Sequence, residues 1–171
     1  MKHPLRLLLA ACVLGLACAS ASAWAVLPAD WGVQGRGEMR WFGLRIYDAS
    51  LWAPGGRWRE DAPYALELRY ARDIEGRRLV DSSLDEMRRL GGMDEALALR
   101  WRGELERVFP DVRSGDTIIG LHRPAQGADF YHQGRLTGRI EDPLLARAFF
   151  AIWLDPRTRE PVLRARLLGA G

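Results

Sequence analysis

The sequence predicts an α+β fold built on an antiparallel sheet. Three observations carry that expectation. Apolar positions recur with period two in the first third of the chain, recur at helical spacing in the middle and at the end, and form short turn-separated runs in between. Strands, helices, strands and helices follow one another in blocks, without the βαβ alternation of a parallel sheet.

Residues 32–40 read as one arm of a hairpin whose other arm is 44–53. In that second arm Ile46 and Trp52 suit one face while Tyr47 and Leu51 suit the other, so the strand is expected to be covered on both sides. Next, Tyr64, Leu66, Leu68 and Tyr70 alternate with Ala65, Glu67, Arg69 and Ala71, a half-buried strand. Ser83 followed three residues later by Glu86 reads as a capping box opening a helix with Leu84, Met87 and Leu90 on one face, ended by Gly91-Gly92. Asp94 then caps a helix with the stripe Leu97, Trp101, Leu105 and Val108, stopped by Pro110. Segments 117–123, 128–132 and 135–140 form a meander with turns at 124–127 and 133–134. Asp142-Pro143 is an N-cap followed by an N1 proline, and the helix it opens buries Leu144, Leu145, Ala148, Phe149, Ile152 and Trp153. Glu160-Pro161 starts a last short helix through Leu163, Leu167 and Leu168.

The N-terminus belongs to none of these elements. Lys2, His3 and Arg6 precede the apolar run 7–16, and small residues follow to Ala21-Ser22-Ala23. That is the pattern of a secretory signal peptide, with cleavage expected after Ala23 or after Ala25. The chain is thus expected to divide into a signal peptide, 1–23, and one domain, 24–171, that works in the periplasm with no stable membrane insertion. Removing 23 of the 171 residues leaves 148 and takes away both cysteines with Lys2 and Arg6. The 25 basic side chains become 23 against 22 acidic ones, so a near-neutral, mixed surface disfavours nucleic acid. With 48% hydrophobic residues and 2 Cys in all, the chain is neither disordered nor a disulfide scaffold.

The usual catalytic patterns are missing from the sequence. His122 is expected opposite Asp129, with His132 about 10 Å away, too far for the imidazoles to share an ion, so a surface His-Asp pair is favoured over a metal site. No serine lies in a Gly-x-Ser-x-Gly turn, and Gly35-x-Gly37 precedes a strand rather than a helix, so it reads as a sharply twisted strand. No cofactor is expected. One constellation points to chemistry: Arg36, Arg40 and Arg45 lie on or beside the hairpin that carries Tyr47. Guanidinium and phenol converging on an apolar interior would hold a carboxylate or enolate, although such arginines are also common as plain exposed residues.

The segment 35–52, from Gly35-Arg36-Gly37 through Ile46-Tyr47-Asp48 to Leu51-Trp52, resembles the chalcone isomerase-like family and its bacterial exported branch. So do Ser83-Leu84-Asp85-Glu86-Met87, Phe109-Pro110-Asp111-Val112, Ser114-Gly115-Asp116 and Phe149-Phe150-Ala151-Ile152-Trp153. The resemblance implies a large antiparallel sheet packed against a layer of helices, with an apolar cleft between them. It also implies that, as in the family's fatty-acid binders, an Arg on the first strand and a Tyr on the second hold a ligand carboxylate. Tyr47 matches the second; Arg40 is the first choice for the other and Arg36 the second. The isomerases' catalytic Thr corresponds to Tyr47, their Tyr to Leu79 and their Asn to Met87, departures that point away from cyclisation. The expected function is therefore non-enzymatic binding of a small apolar or acyl, fatty-acid-like ligand. The alternatives are an isomerase or lyase with Tyr47 as acid and Arg40 as oxyanion partner, and a ligand-free scaffold whose cleft is filled by its own Trp and Phe side chains. Leu66, Leu68, Leu97, Trp101, Phe149 and Trp153 are candidates for the cleft or the core behind it.

Overall fold

The computed structural model describes residues 26–170, so the expected signal peptide and its cleavage site lie outside the described residues. Six strands form one antiparallel sheet in chain order: β1 (Trp31–Trp41), β2 (Leu44–Pro54), β3 (Tyr64–Tyr70), β4 (Thr117–Arg123), β5 (Gly127–His132) and β6 (Arg135–Ile140). Helices α1 (Gly76–Leu90) and α2 (Glu95–Val108) connect β3 to β4, and α3 (Pro143–Leu154) and α4 (Pro161–Leu167) follow β6. The α+β class expected from the periodicity is the class observed.

Alternation along the strands divides the sheet into two faces. Ala49, Leu51, Leu66, Leu68, Ile118 and Phe130 face the helices and join Val80, Leu84, Leu105, Leu145, Phe149 and Leu163 in the main core. Phe149 binds this layer together through ring contacts with Phe109, Phe130, Phe150 and Trp153 at 5.2–5.5 Å. The opposite face carries a smaller cluster of Trp52, Ala65, Ile119 and Leu121, packed with Val26, Leu27, Trp31 and Val33. β2 is therefore apolar on both sides, as its composition predicts, but Ile46 lines the inner side with Tyr47 instead of sharing the outer face with Trp52, because the register shift between Met39 and Arg40 leaves it as an extra residue.

Two local features tie the helices down. The Asp142 carboxylate accepts from Leu144 N and Leu145 N at 2.9 and 3.2 Å, capping α3, and from Trp101 Nε1 at 3.0 Å, which joins α2 to that cap. Helix α4 lies across β1 so closely that a Cβ at Gly35 would stand 2.1 Å from the Arg166 carbonyl oxygen and one at Gly37 2.5 Å from the Leu163 side chain. The Gly35-x-Gly37 pair thus serves the approach of a helix, not a sharp twist in the strand.

Two expectations fail for identifiable reasons. Helix α1 begins at Gly76, not at Ser83; its first N–H donates to Asp111 Oδ1 at 2.8 Å, and Ser83 Oγ donates to the Leu79 carbonyl at 2.7 Å. A cap supplied by a segment thirty-five residues away leaves no local signal. The β4–β5 register is also shifted by one: the loop holds the three residues 124–126, so Leu121 faces Asp129 and His122 faces Ala128. A one-residue shift exchanges faces. His122 consequently lies inside, stacked on Tyr64 at 4.7 Å, while Asp129 is gripped by Arg123 and Arg139 on the other side. The His-Asp pair that does form is His132 with Asp116, at 3.0 Å.

Candidate functional site

Between the inner face of the sheet and helices α1 and α3 lies a cavity of about 550 Å³. Leu66, Leu68, Ile118, Phe109, Phe130 and Phe149 line its apolar depth, and Met39, Trp41, Ile46, Ile74 and Leu79 line the part nearer the β1–β2 turn. A space of this size, mostly apolar with few polar groups, is what binding of a small molecule requires.

Ser82, Ser83 and Thr158 also line the cavity, but their hydroxyls donate to backbone carbonyls; the other uncharged polar groups inside are two phenols and an indole. Tyr47 and Tyr70 face each other across the β2–β3 pairing, with rings 5.9 Å apart and edge to face. Trp153 Nε1 on α3 donates to the Tyr47 hydroxyl oxygen at 2.9 Å, which leaves the Tyr47 proton available for another acceptor. Burial pushes both phenols well above the ordinary tyrosine value. They are therefore neutral donors throughout the physiological range.

Charge is confined to the rim. Arg159 pairs with Glu86 at 3.1 Å, and Glu86 also pairs with Arg89 at 3.0 Å. Glu160 stands at the same rim, where burial and then the neighbouring Glu86 raise its carboxyl above the ordinary value. Arg78 is the other rim guanidinium, 4.0 Å from Glu75.

The arginines singled out from the sequence do not join Tyr47. Met39 is the β1 residue opposite Tyr47, and the side chains on either side of it project from the other face of the strand. Arg40 donates to Glu38 and, at 2.9 Å, to the Gly43 carbonyl; Arg45 pairs with Asp48 and with Glu38 at 3.1 Å. Arg36 lies near the Trp52 ring, 6.0 Å from its centroid, on the outer face. The Arg40–Tyr47 and Arg36–Tyr47 clamps are thus not assembled. The parity of the strand separates them.

The profile of a family described as chalcone isomerase-like matches residues 33–169, nearly the whole described chain. The chain belongs to the chalcone isomerase-like family. Among solved structures, the crystal structure of an Arabidopsis thaliana fatty-acid binding protein is similar: TM-score 0.62 at 14% identity, over 84% of this chain and 89% of that one. A likeness at that identity shows a shared fold. No curated protein matches.

In this chalcone isomerase-like chain Tyr70 and Trp153 are the cleft groups that sequence reasoning did not assign to a polar role. Tyr70 was within reach, because its alternation with Leu66 and Leu68 places it on the core face and pairing with β2 places it against Tyr47. Trp153 read only as an apolar stripe residue, since a helical period does not report an indole N–H aimed at a phenol. Among the described residues, no three His, Cys, Asp or Glu side chains gather as metal ligands.

Proposed function

We propose that the chain is a non-enzymatic binding protein for a small apolar molecule whose polar head is a hydrogen-bond acceptor such as a carbonyl, an ester or a protonated carboxyl. The observation that carries this reading is the cavity of about 550 Å³ with two neutral tyrosine hydroxyls in a mostly apolar wall. The depth of the cavity offers an ionised head no guanidinium, since the lining arginines Arg78 and Arg159 lie at the rim. The fatty-acid binding protein that shares the fold supports an acyl ligand. The isomerase alternative loses its acid and oxyanion pair when Arg40 turns away from Tyr47. The scaffold alternative requires a cleft closed by its own side chains, and this one is open.

The proposal includes export to the periplasm, supported by the charged, apolar and small-residue order of segment 2–23. N-terminal sequencing of the protein from a periplasmic fraction checks it, and a chain that begins at Met1 would overturn it. For the ligand, the test is mass spectrometry of what denaturing extraction releases from that protein. A stoichiometric acyl compound, absent from the Tyr47→Phe/Tyr70→Phe protein, is the expected result. A protein that carries nothing and takes up no acyl probe overturns the reading.

A further inference from the structure

The β1–β2 turn exposes apolar surface in a way its backbone does not favour. Phe42 and Gly43 both have positive φ, 47° and 78°, in a two-residue hairpin connection. Asn, Asp or Gly is the usual first residue of such a turn, because a bulky side chain there is sterically strained. Here it holds a phenylalanine that is 90% exposed, flanked by Trp41 at 54% and Leu44 at 53%. Trp41 packs edge-on against Phe42 at 5.2 Å and also lines the cavity, so the apolar tip is continuous with the cleft.

The charge around this tip is not uniform. Arg40 and Arg45 are neutralised by Glu38 and Asp48. The other turns at the same end of the sheet carry Arg72, Arg113 and Arg135, all exposed and, among the described residues, without an ion pair within 4.0 Å. The acids at that end keep their charge while hydrogen-bonded: Asp73 accepts from Ser114 N, and Asp116 accepts from Arg113 N, bonds His132 and feels the Arg113 charge, so the positive excess at this end is small. Four strand spacings separate the β1–β2 turn from the β5–β6 turn, roughly 20 Å. One end of the molecule therefore presents an aromatic wedge beside three exposed guanidiniums, Arg72, Arg113 and Arg135.

We propose that this end docks on the surface of an anionic lipid bilayer, with Trp41, Phe42 and Leu44 entering the interface and Arg72, Arg113 and Arg135 meeting the headgroups. Aromatic side chains favour the bilayer interface, and exposed arginines are attracted to anionic lipid. A second protein is the weaker occupant, because a stable interface needs about 800 Å² from each partner and a projecting two-residue turn offers little flat surface. Docking deepens the carrier reading, on which its purpose rests, by turning the cavity mouth toward a source of apolar ligand. The docking event itself needs no ligand.

The test is sedimentation with vesicles of phosphatidylcholine alone and of phosphatidylcholine mixed with phosphatidylglycerol, using protein expressed from the full sequence. Binding to the mixed vesicles that weakens with salt is expected. Phe42→Asn suits the turn's backbone better, so it should keep or raise thermal stability while weakening partition about tenfold. Arg72→Glu/Arg135→Glu should weaken it by roughly fivefold for each residue. Vesicles should slow hydrogen exchange at residues 41–44, a readout independent of the N-terminal segment that every variant shares. Equal partition of the Phe42→Asn and parent proteins, protection confined elsewhere, or a self-association that Phe42→Asn abolishes without lipid binding each overturns the proposal. Vesicle binding by a protein that takes up no acyl probe would keep the docking surface and remove the carrier function.

Discussion

The sharpest consequence of the cleft geometry concerns Tyr70 and Arg40. If a ligand head accepts from the Tyr70 hydroxyl, Tyr70→Phe removes one hydrogen bond and leaves the ring in place. The net worth of such a bond, about 0.5–1.5 kcal/mol, corresponds to roughly two- to twelvefold weaker binding. Arg40 lies on the opposite face, half exposed and paired with Glu38, so Arg40→Ala should leave affinity unchanged and alter stability by less than about 1 kcal/mol. Tyr47→Phe is a less direct probe, because it also deprives Trp153 Nε1 of its acceptor and should cost about 1–3 kcal/mol of stability. The assay is fluorescence titration with cis-parinaric acid and with its methyl ester. With neutral donors inside and no cation at depth, the ester should bind at least as well as the acid, and acid binding should strengthen as pH falls toward the carboxyl value. A tenfold loss on Arg40→Ala with Tyr70→Phe unchanged, or an ester that does not bind, would refute the reasoning.

Three further outcomes follow from the packing. Gly35→Ala sets a Cβ against the Arg166 carbonyl, so α4 must shift; a loss of about 1–3 kcal/mol should appear in the urea midpoint. Burial, with Arg147 nearby, lowers the His122 value, and the folded protein binds fewer protons there than the unfolded chain. Stability should therefore decline as pH drops below the ordinary histidine value of about 6.5, and His122→Phe should flatten that decline in pH-dependent urea unfolding. Burial would raise the Asp142 carboxyl, but hydrogen bonds from Trp101 and from the α3 N-terminus outweigh it and hold it below the usual range. Its contribution should persist above about pH 4 and fade as the group is protonated, and Asp142→Ala should cost about 1–3 kcal/mol in thermal unfolding at neutral pH.

The fold was legible wherever its causes are local. Asp94 and Asp142 announce their helices because a cap lies beside the N–H groups it satisfies, and the Tyr64–Tyr70 alternation places every residue of β3 on the face it occupies. What escaped depends on partners distant in sequence. The start of α1 is set by Asp111, the β4–β5 faces by one residue of loop length, and the need for glycine in β1 by a helix more than a hundred residues later. The candidate site divides in the same way. Tyr47 sits in a recognisable segment and lines the cavity, whereas only proximity in sequence links the arginines to it, and proximity along a strand says nothing about which side of it a guanidinium leaves.

The pairing of β3 with β4 joins strands that end at Tyr70 and begin at Thr117, with two helices between them, while every other strand pairs across a much shorter connection. Closing that long excursion carries the largest entropic cost of any single step in the sheet, so it lags behind the hairpins on either side. Tyr47 and Tyr70 belong to the half that precedes this seam in the chain; Ile118, Phe130 and Trp153 come from the half beyond it. The cavity is therefore expected to close late in folding. Loosening the seam separates two three-stranded halves that each supply only part of the wall, so a variant with a weakened β3–β4 pairing is expected to lose its enclosed space, and with it its capacity for ligand.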